Sequence, residues 1–139
     1  MQISSKLTGR IALIISVVLL VGSFTQECYC TTQHCADSIA ALLAGGLGFF
    51  FSWAGLTWLA NPLLIASWIT INKRSQLSLI FSLSATLLAL SFLLFKGIMD
   101  NENGDLNDII SYQPGYWLWV ASSLTMFTGN LIRFMEIVR

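Results

Sequence analysis

The sequence predicts an all-α membrane protein, a bundle of four transmembrane helices with both termini on the cytoplasmic side. Three observations predict this fold class. Hydrophobic residues make up 55% of the chain and charged residues only 10%, whereas ordinary soluble domains carry about 25% charged residues. The hydrophobic residues are concentrated in long stretches without a charge. The charged residues lie between these stretches and are sorted by sign.

A helix that crosses the hydrocarbon core of a membrane needs about 20 mostly apolar residues. Four stretches of the 139-residue chain meet this requirement, which leaves no room for a separate soluble domain. The predicted spans are residues 7–24, 39–71, 76–95 and 116–133. The loops at residues 25–37 and 96–115 then share one side of the membrane.

The charges decide which side that is, because basic residues in short loops stay in the cytoplasm. Six of the seven basic residues fall on one side of the predicted spans: Lys6, Arg10, Lys73, Arg74, Arg133 and Arg139. Six of the seven acidic residues fall on the other: Glu27, Asp37, Asp100, Glu102, Asp105 and Asp108. The sequence therefore predicts cytoplasmic N- and C-termini and two outer loops.

The second stretch is unusually long. From Ser38 to Asn72 it would measure roughly 52 Å as a straight helix. Two separate spans would place Lys73 and Arg74 outside, against the charge rule. We therefore predict one long helix, kinked near Asn61–Pro62, because proline cannot donate its backbone hydrogen bond and clashes with the preceding turn. An alternative makes residues 38–46 a separate helix on the outer membrane surface.

The first stretch has an alternative interpretation of its own. Lys6 and Arg10, the short apolar run and the small residues Val21-Gly22-Ser23 are also typical of a cleaved signal peptide. Cleavage would leave the orientation of the other three spans unchanged.

Small residues recur at helical spacing in the predicted spans, which favours close helix contacts. They are Ala41, Gly45, Gly48, Ser52 and Gly55 in the second span, and Ser78, Ser82, Ala85 and Ala89 in the third. A path for a substrate is the functional alternative. Four aromatic residues are predicted to form an interfacial belt where the fourth span begins: Tyr112, Tyr116, Trp117 and Trp119.

The first outer loop holds every cysteine of the chain, Cys28, Cys30 and Cys35, beside the only histidine, His34. An outer loop faces an oxidising compartment, so a disulfide is expected. It would join Cys35 to Cys28 or to Cys30, because a Cys28–Cys30 bridge would be strained. A zinc or copper site formed by the three thiolates and His34 is the weaker alternative, since the spacing matches no standard zinc pattern. Thiol exchange is weaker still without a C-x-x-C pair.

The interior of the predicted spans contains no Asp, Glu, Lys, Arg or His, which argues against a proton-coupled exporter. Asn61 beside Pro62 could satisfy freed backbone groups. It could also contact a solute at a broken helix. No set of catalytic residues is present, so we expect neither an enzyme nor a cofactor. The net charge of zero argues against nucleic-acid binding.

Two short stretches, Trp58-Leu-Ala-Asn-Pro-Leu63 and Pro114-Gly-Tyr-Trp-Leu-Trp119, resemble a group of small uncharacterised bacterial inner-membrane proteins. The resemblance covers roughly residues 45–129. It implies four helices and a multi-pass location in the bacterial inner (plasma) membrane. It implies no activity and no functional residues, and the cysteine loop lies outside it.

Three functions follow as hypotheses. The leading one is a non-enzymatic accessory protein in the lipid bilayer, which binds a membrane-protein partner or a second copy of itself, or blocks a toxin as an immunity factor. The first alternative is a transporter or channel for a neutral or apolar solute at Asn61–Pro62. The second is a metal or redox protein that uses the outer cysteine loop.

Overall fold

The computed structural model describes residues 2–48, 50, 52–99 and 103–139. Asp100 and Glu102, which we counted among the outer acidic residues, lie outside the described part. The elements follow the chain in this order: α1 (Gln2–Ser23), β1 (Glu27–Thr31), β2 (Cys35–Asp37), α2 (Ser38–Gly48), a 3-10 segment (Ala54–Leu59), α3 (Ala60–Thr70), α4 (Ser75–Ser91), a short 3-10 turn (Phe92–Leu94), β3 (Gly97–Met99), β4 (Leu106–Tyr112) and α5 (Pro114–Val138).

The predicted bundle of four transmembrane helices is wrong as a fold class. The stretches predicted as loops, 25–37 and 96–115, contain a four-stranded antiparallel sheet in the order β2-β1-β4-β3. Among the described residues, two helical stretches are long and apolar enough to span a membrane, Ser4–Ser23 and Ser75–Leu94. The fold is therefore a mixed one, with helices at one end and a sheet at the other.

Two physical reasons explain why the other predicted spans fail this criterion. Helix α3 has 11 residues, which gives a length of about 16 Å, half of the hydrocarbon thickness. Helix α5 is long enough, with 25 residues, but polar side chains lower its hydropathy. These include Ser122, Ser123, Asn130 and Arg133.

The predicted long helix over residues 39–71, kinked near Asn61–Pro62, is also wrong. The chain forms three pieces there, and the break falls between Gly48 and Ala54. Pro62 lies in the first turn of α3, where a missing N–H costs no helical hydrogen bond. The alternative with a separate helix at residues 38–46 is close to the observed α2.

Trp58 explains why α2 folds back over the 3-10 segment. Its indole Nε1 donates a hydrogen bond of 2.6 Å to the carbonyl oxygen of Leu42. Its ring lies against Gly45 and Gly46, where a side chain would not fit: a Cβ on Gly45 would be 2.7 Å from Trp58 Cδ1. The two glycines thus create the flat surface that receives the indole ring.

The sheet is centred on β1, which pairs with β2 on one side and β4 on the other. Cys30 lies opposite Cys35 in β2 and opposite Ser111 in β4. The register of β1 and β2 shifts between Glu27 and Tyr29, so Cys28 is the extra residue of a β-bulge. Because the sheet connects the end of α1, the end of α4 and the start of α5, it covers one end of the helices.

Basic residues gather at the opposite end. The guanidinium of Arg133 donates a hydrogen bond to the carbonyl oxygen of Ile71, just past the end of α3. Gly9 of α1 lies against both residues. The start of α1, the α3–α4 turn and the end of α5 therefore meet there. These segments carry Lys6, Arg10, Lys73, Arg74, Arg133 and Arg139.

Polar side chains join the helices in their interior. Asn130 Nδ2 of α5 lies 3.0 to 3.1 Å from Ser67 Oγ, Ser78 O and Ser82 Oγ, and Asn130 Oδ1 accepts from Ser78 Oγ. A second set joins α1, α3 and α5: Ser16 Oγ is 3.0 Å from Ser122 Oγ and from Trp68 Nε1. The small residues predicted to form one face of α4 are its buried face: Ser78, Ser82, Ala85 and Ala89.

Candidate binding cavity

A cavity of about 220 Å³ lies between α2, the 3-10 segment and the sheet, and we call it the α2 cavity. Its floor includes Asn61 at the start of α3 and Trp119 of α5. The bulge in β1 lets the neighbouring residues Cys28 and Tyr29 both line it. This space is partly open and lies at the junction of the helical and β parts.

Small residues form one wall of the α2 cavity. All five small residues singled out in the second predicted span line it: Ala41, Gly45, Gly48, Ser52 and Gly55. Aromatic residues form the other walls: Tyr29, Trp58, Phe92 and Trp119. These small residues therefore border the cavity, and Gly45 also receives the Trp58 ring in close contact.

Asn61 lines the cavity but is held by the surrounding protein. Its Oδ1 accepts a hydrogen bond of 2.9 Å from Trp119 Nε1, and its Nδ2 donates to the carbonyl oxygen of Trp58 at 3.1 Å. It thus holds the Trp119 indole ring and the backbone of Trp58 in place. Pro62 supports this position by beginning α3 and does not itself line the cavity.

Ser38 and Cys28 form the polar end of the cavity. Ser38 is 7% exposed, and its hydroxyl lies beside the Cys28 thiol. Cys28 is the free cysteine. Burial raises the pKa of its thiol to about 11, an effect that the nearby Ser38 hydroxyl partly offsets by favouring the thiolate. At neutral pH the thiol is therefore protonated and a poor nucleophile.

The other two cysteines form a disulfide, Cys30–Cys35, across β1 and β2. This confirms the predicted disulfide and selects Cys30 from the two possible partners of Cys35. The side chain of Glu27 has a ligand atom within 4.8 Å of both sulfurs, but sulfurs joined in a disulfide are not the thiolates that bind zinc. His34 and Cys28, the other metal candidates, line the α2 cavity.

The four predicted interfacial aromatics occupy different environments. Tyr116 is fully buried, and its hydroxyl donates to the carbonyl oxygen of Ala89 at 2.8 Å. Trp119 lines the cavity, Trp117 is half exposed, and Tyr112 packs edge-on against Phe92. Tyr116 and Trp119 therefore pack in the interior of the protein.

Sequence reasoning missed Ser38 and Gly115 as residues of the site. Gly115 allows the start of α5 to approach β1 closely, since a Cβ there would lie 2.2 Å from Ser38 Oγ and 2.5 Å from the backbone oxygen of Glu27. No local pattern in the sequence reveals this contact, because its partners are about eighty residues away along the chain.

None of the family models, curated proteins or solved structures with which the chain was compared matches it. The class is therefore defined by geometry: a mainly helical protein whose four-stranded sheet and returning helix α2 border a partly open, mainly apolar cavity.

Proposed function

We propose that this chain is a small multi-pass protein of the bacterial inner membrane that binds a neutral, apolar molecule in the α2 cavity and catalyses no reaction on it. The observation that carries the membrane location is the distribution of polarity in the helices. Many serine, threonine and asparagine side chains lie inside, and many large apolar side chains lie outside.

The contrast is sharp within single helices. In α1, Ser16 is fully buried while Val18 is 63% exposed; in α4, Ser78 is fully buried while Leu87 is 59% exposed. Water would favour the opposite arrangement, because exposed apolar area costs about 25 cal/mol per Å². In lipid the apolar faces are solvated, and serines and asparagines join helices by hydrogen bonds.

The two apolar helices support the same proposal. Their most apolar windows, in Ser4–Ser23 and Ser75–Leu94, are 28% and 33% buried. The core helix of a soluble protein would be mostly buried. The packing of α1 against α5 and its bond from Ser16 to Trp68 favour a retained helix over a cleaved signal peptide.

The orientation follows from two further features. The disulfide belongs to the sheet end, and disulfides persist in oxidising compartments. The basic residues belong to the opposite end, and such residues stay in the cytoplasm. We therefore propose that the sheet faces outward and that both termini face the cytoplasm.

Ligand binding is supported by the size and lining of the α2 cavity. An engineered cavity of about 150 Å³ in another protein binds benzene, and this cavity is about 220 Å³. Among its described lining residues there is no Asp, Glu, Lys or Arg, so a neutral ligand suits it. This is also where the solute of a transporter working at Asn61 would bind.

The membrane location predicts how spin labels respond to relaxing agents. In a Cys28→Ser background, a label at Val18→Cys should collide more often with oxygen, which concentrates in lipid, than with a water-soluble nickel complex. A label at the exposed Thr32→Cys of the sheet end serves as the control and should show the reverse. Equal access of the nickel complex to both labels would refute the membrane location.

The binding proposal predicts the effect of filling the cavity. Gly48 lines it, and a Cβ added there meets no atom within 4 Å. Gly48→Phe should therefore leave the fold intact and weaken binding of a neutral probe such as methylcyclohexane at least tenfold, measured by ligand-detected NMR in lipid nanodiscs. Gly22→Phe, at an equally open glycine outside the cavity, should bind as the parent does. Equal binding of the probe by the parent, Gly48→Phe and Gly22→Phe would contradict the proposal.

A second candidate is the accessory protein, which binds a membrane-protein partner or a second copy. It is favoured by one face of α2, where Ile39, Leu43 and Leu47 are 51%, 68% and 76% exposed at four-residue spacing. Charged substitutions on this face that leave co-purification and self-association in mild detergent unchanged would count against it.

A further inference from the structure

The wall of the α2 cavity offers little to a polar ligand. Ser23 Oγ and Thr57 Oγ1 donate hydrogen bonds to nearby backbone carbonyl oxygens, and Ser52 Oγ accepts one from a backbone N–H. The two indoles of the wall and the Asn61 amide are paired with each other and with the backbone, as described above. Because these groups have already formed their hydrogen bonds, the part of a ligand that lies among them is hydrocarbon.

The opening of the α2 cavity runs along one edge of α2. Ala40 and Ala44 both line the cavity and are exposed, and their small side chains leave this edge low. They lie beside Leu43 and Leu47, because residues three or four apart are neighbours on a helix surface. The opening therefore borders the exposed apolar face of α2, to which Ile39 also belongs.

The exposed apolar face of α2 connects the opening to the surrounding lipid. Helix α2 carries no charged residue, and the apolar surface continues to Phe50 and Trp53, which are 80% and 78% exposed. A dilute apolar solute gains little by moving from lipid into an apolar cavity, because lipid tails are as apolar as leucine side chains. The lipid chains themselves are abundant beside the opening, and they reach it without leaving an apolar environment.

The sheet end indicates which headgroup such a lipid carries. The other two exposed lining residues, His34 and Met99, extend the opening to this end. Because like charges repel, an anionic headgroup is disfavoured there and a net-neutral one is favoured. The described residues of the sheet end include four acidic side chains and one lysine: Glu27, Asp37, Asp105, Asp108 and Lys96.

We infer that the ligand of the α2 cavity is a membrane lipid with a net-neutral headgroup, and that one of its hydrocarbon chains enters from the outer leaflet past Ala40 and Ala44. The inference rests on the proposed binding function and adds the chemical class and the source of the ligand. It gives the two sides of α2 different roles. The large residues contact the bilayer, and the small residues admit the chain.

Photochemical cross-linking of the full chain in nanodiscs tests the inference. The probe is a phosphatidylcholine with a diazirine at the end of one chain, and mass spectrometry locates the attached lipid. The parent should be labelled at Thr57, which lines the cavity and is 5% exposed, and at the exposed Leu87 of α4. A phosphatidylglycerol with the same chain, whose headgroup is anionic, should label Leu87 equally and Thr57 less.

A larger side chain at the opening should separate the two labels. Ala44→Trp should lose the label at Thr57 and keep the label at Leu87. Leu47→Trp is the matched control, because Leu47 is 76% exposed and does not line the cavity; it should be labelled as the parent is. Ala40→Phe replaces Ala44→Trp if that variant does not fold.

The outcomes distinguish the ligand class from the binding function. A Thr57 label that responds equally to Ala44→Trp and Leu47→Trp, or that forms equally with both headgroups, would overturn the inference. A parent without a label at Thr57 that still binds methylcyclohexane would also overturn it, while leaving the binding function intact. A parent that shows neither the label nor methylcyclohexane binding would overturn the binding function itself.

Discussion

Replacing Gly129 by leucine should lower the free energy of unfolding by about 2 to 3 kcal/mol, the upper part of the range for overpacked interiors. Gly129 of α5 faces Ala12 of α1, and a Cβ added there would lie 2.1 Å from the Ala12 Cβ. Neither atom belongs to a flexible side chain, so the two helices would have to separate. Their separation would also strain the Ser16–Ser122 contact.

The measurement is thermal or denaturant unfolding in a fixed detergent. Gly22→Leu is the control, because Gly22 is also helical but has no atom within 4 Å of an added Cβ; it should be neutral or slightly stabilising, since leucine favours helix over glycine. The double variant Gly129→Ala with Ala12→Gly should recover stability that Gly129→Ala alone loses. A Gly129→Leu variant as stable as Gly22→Leu would contradict the packing of α1 on α5.

Long apolar stretches without a charge allowed much of the helical part to be predicted. The spans predicted at residues 7–24, 76–95 and 116–133 overlap α1, α4 and α5 closely. Their signal is local, because a continuous apolar run and its flanking charges are enough to reveal a helix. The disulfide was predictable for a similar reason, since all three cysteines fall within one short segment.

The sheet was not predictable in this way because its pairing is non-local. Strand β1 pairs with β4 about eighty residues later, Tyr29 opposite Tyr112, and each strand is short and partly polar. The break after α2 was hidden by the run Phe49-Phe50-Phe51, whose composition equally suits a continuing helix. We predicted the kink at Pro62 because a proline inside a helix breaks a backbone hydrogen bond. Pro62 instead lies in the first turn of α3, where a proline interrupts no helical hydrogen bond.

The cavity was only partly predictable from the sequence. The spacing of Ala41, Gly45, Gly48, Ser52 and Gly55 was visible in the sequence, but whether this row contacts a helix or borders a space depends on where the chain reverses. Ser38 carries no local signal at all. Its burial beside Cys28 results from the β-bulge and from the close approach of Gly115, both of which are tertiary features.

Replacing Gly115 by alanine should have the second large effect, because it acts on the junction of α2, α5 and β1. The added Cβ would lie 2.5 Å from the backbone oxygen of Glu27, and backbone atoms cannot move aside as a side chain can. We expect a loss of about 2 to 3 kcal/mol in the free energy of unfolding. Gly48→Ala is the control, since Gly48 also lines the cavity but has open space at its Cβ.

The reactivity of the Cys28 thiol gives a second measure of the displacement of α5 from β1. Its thiol pKa is about 11 because of burial, against an ordinary value of 9.0. Moving α5 away from β1 exposes the thiol, which lowers its pKa and increases the thiolate fraction at pH 8. The rate of modification by a maleimide should therefore rise about tenfold or more in Gly115→Ala, while Gly48→Ala reacts as slowly as the parent. The disulfide-bonded Cys30 and Cys35 do not contribute to the signal. An unchanged rate together with unchanged stability would mean that α5 does not depend on glycine at this contact.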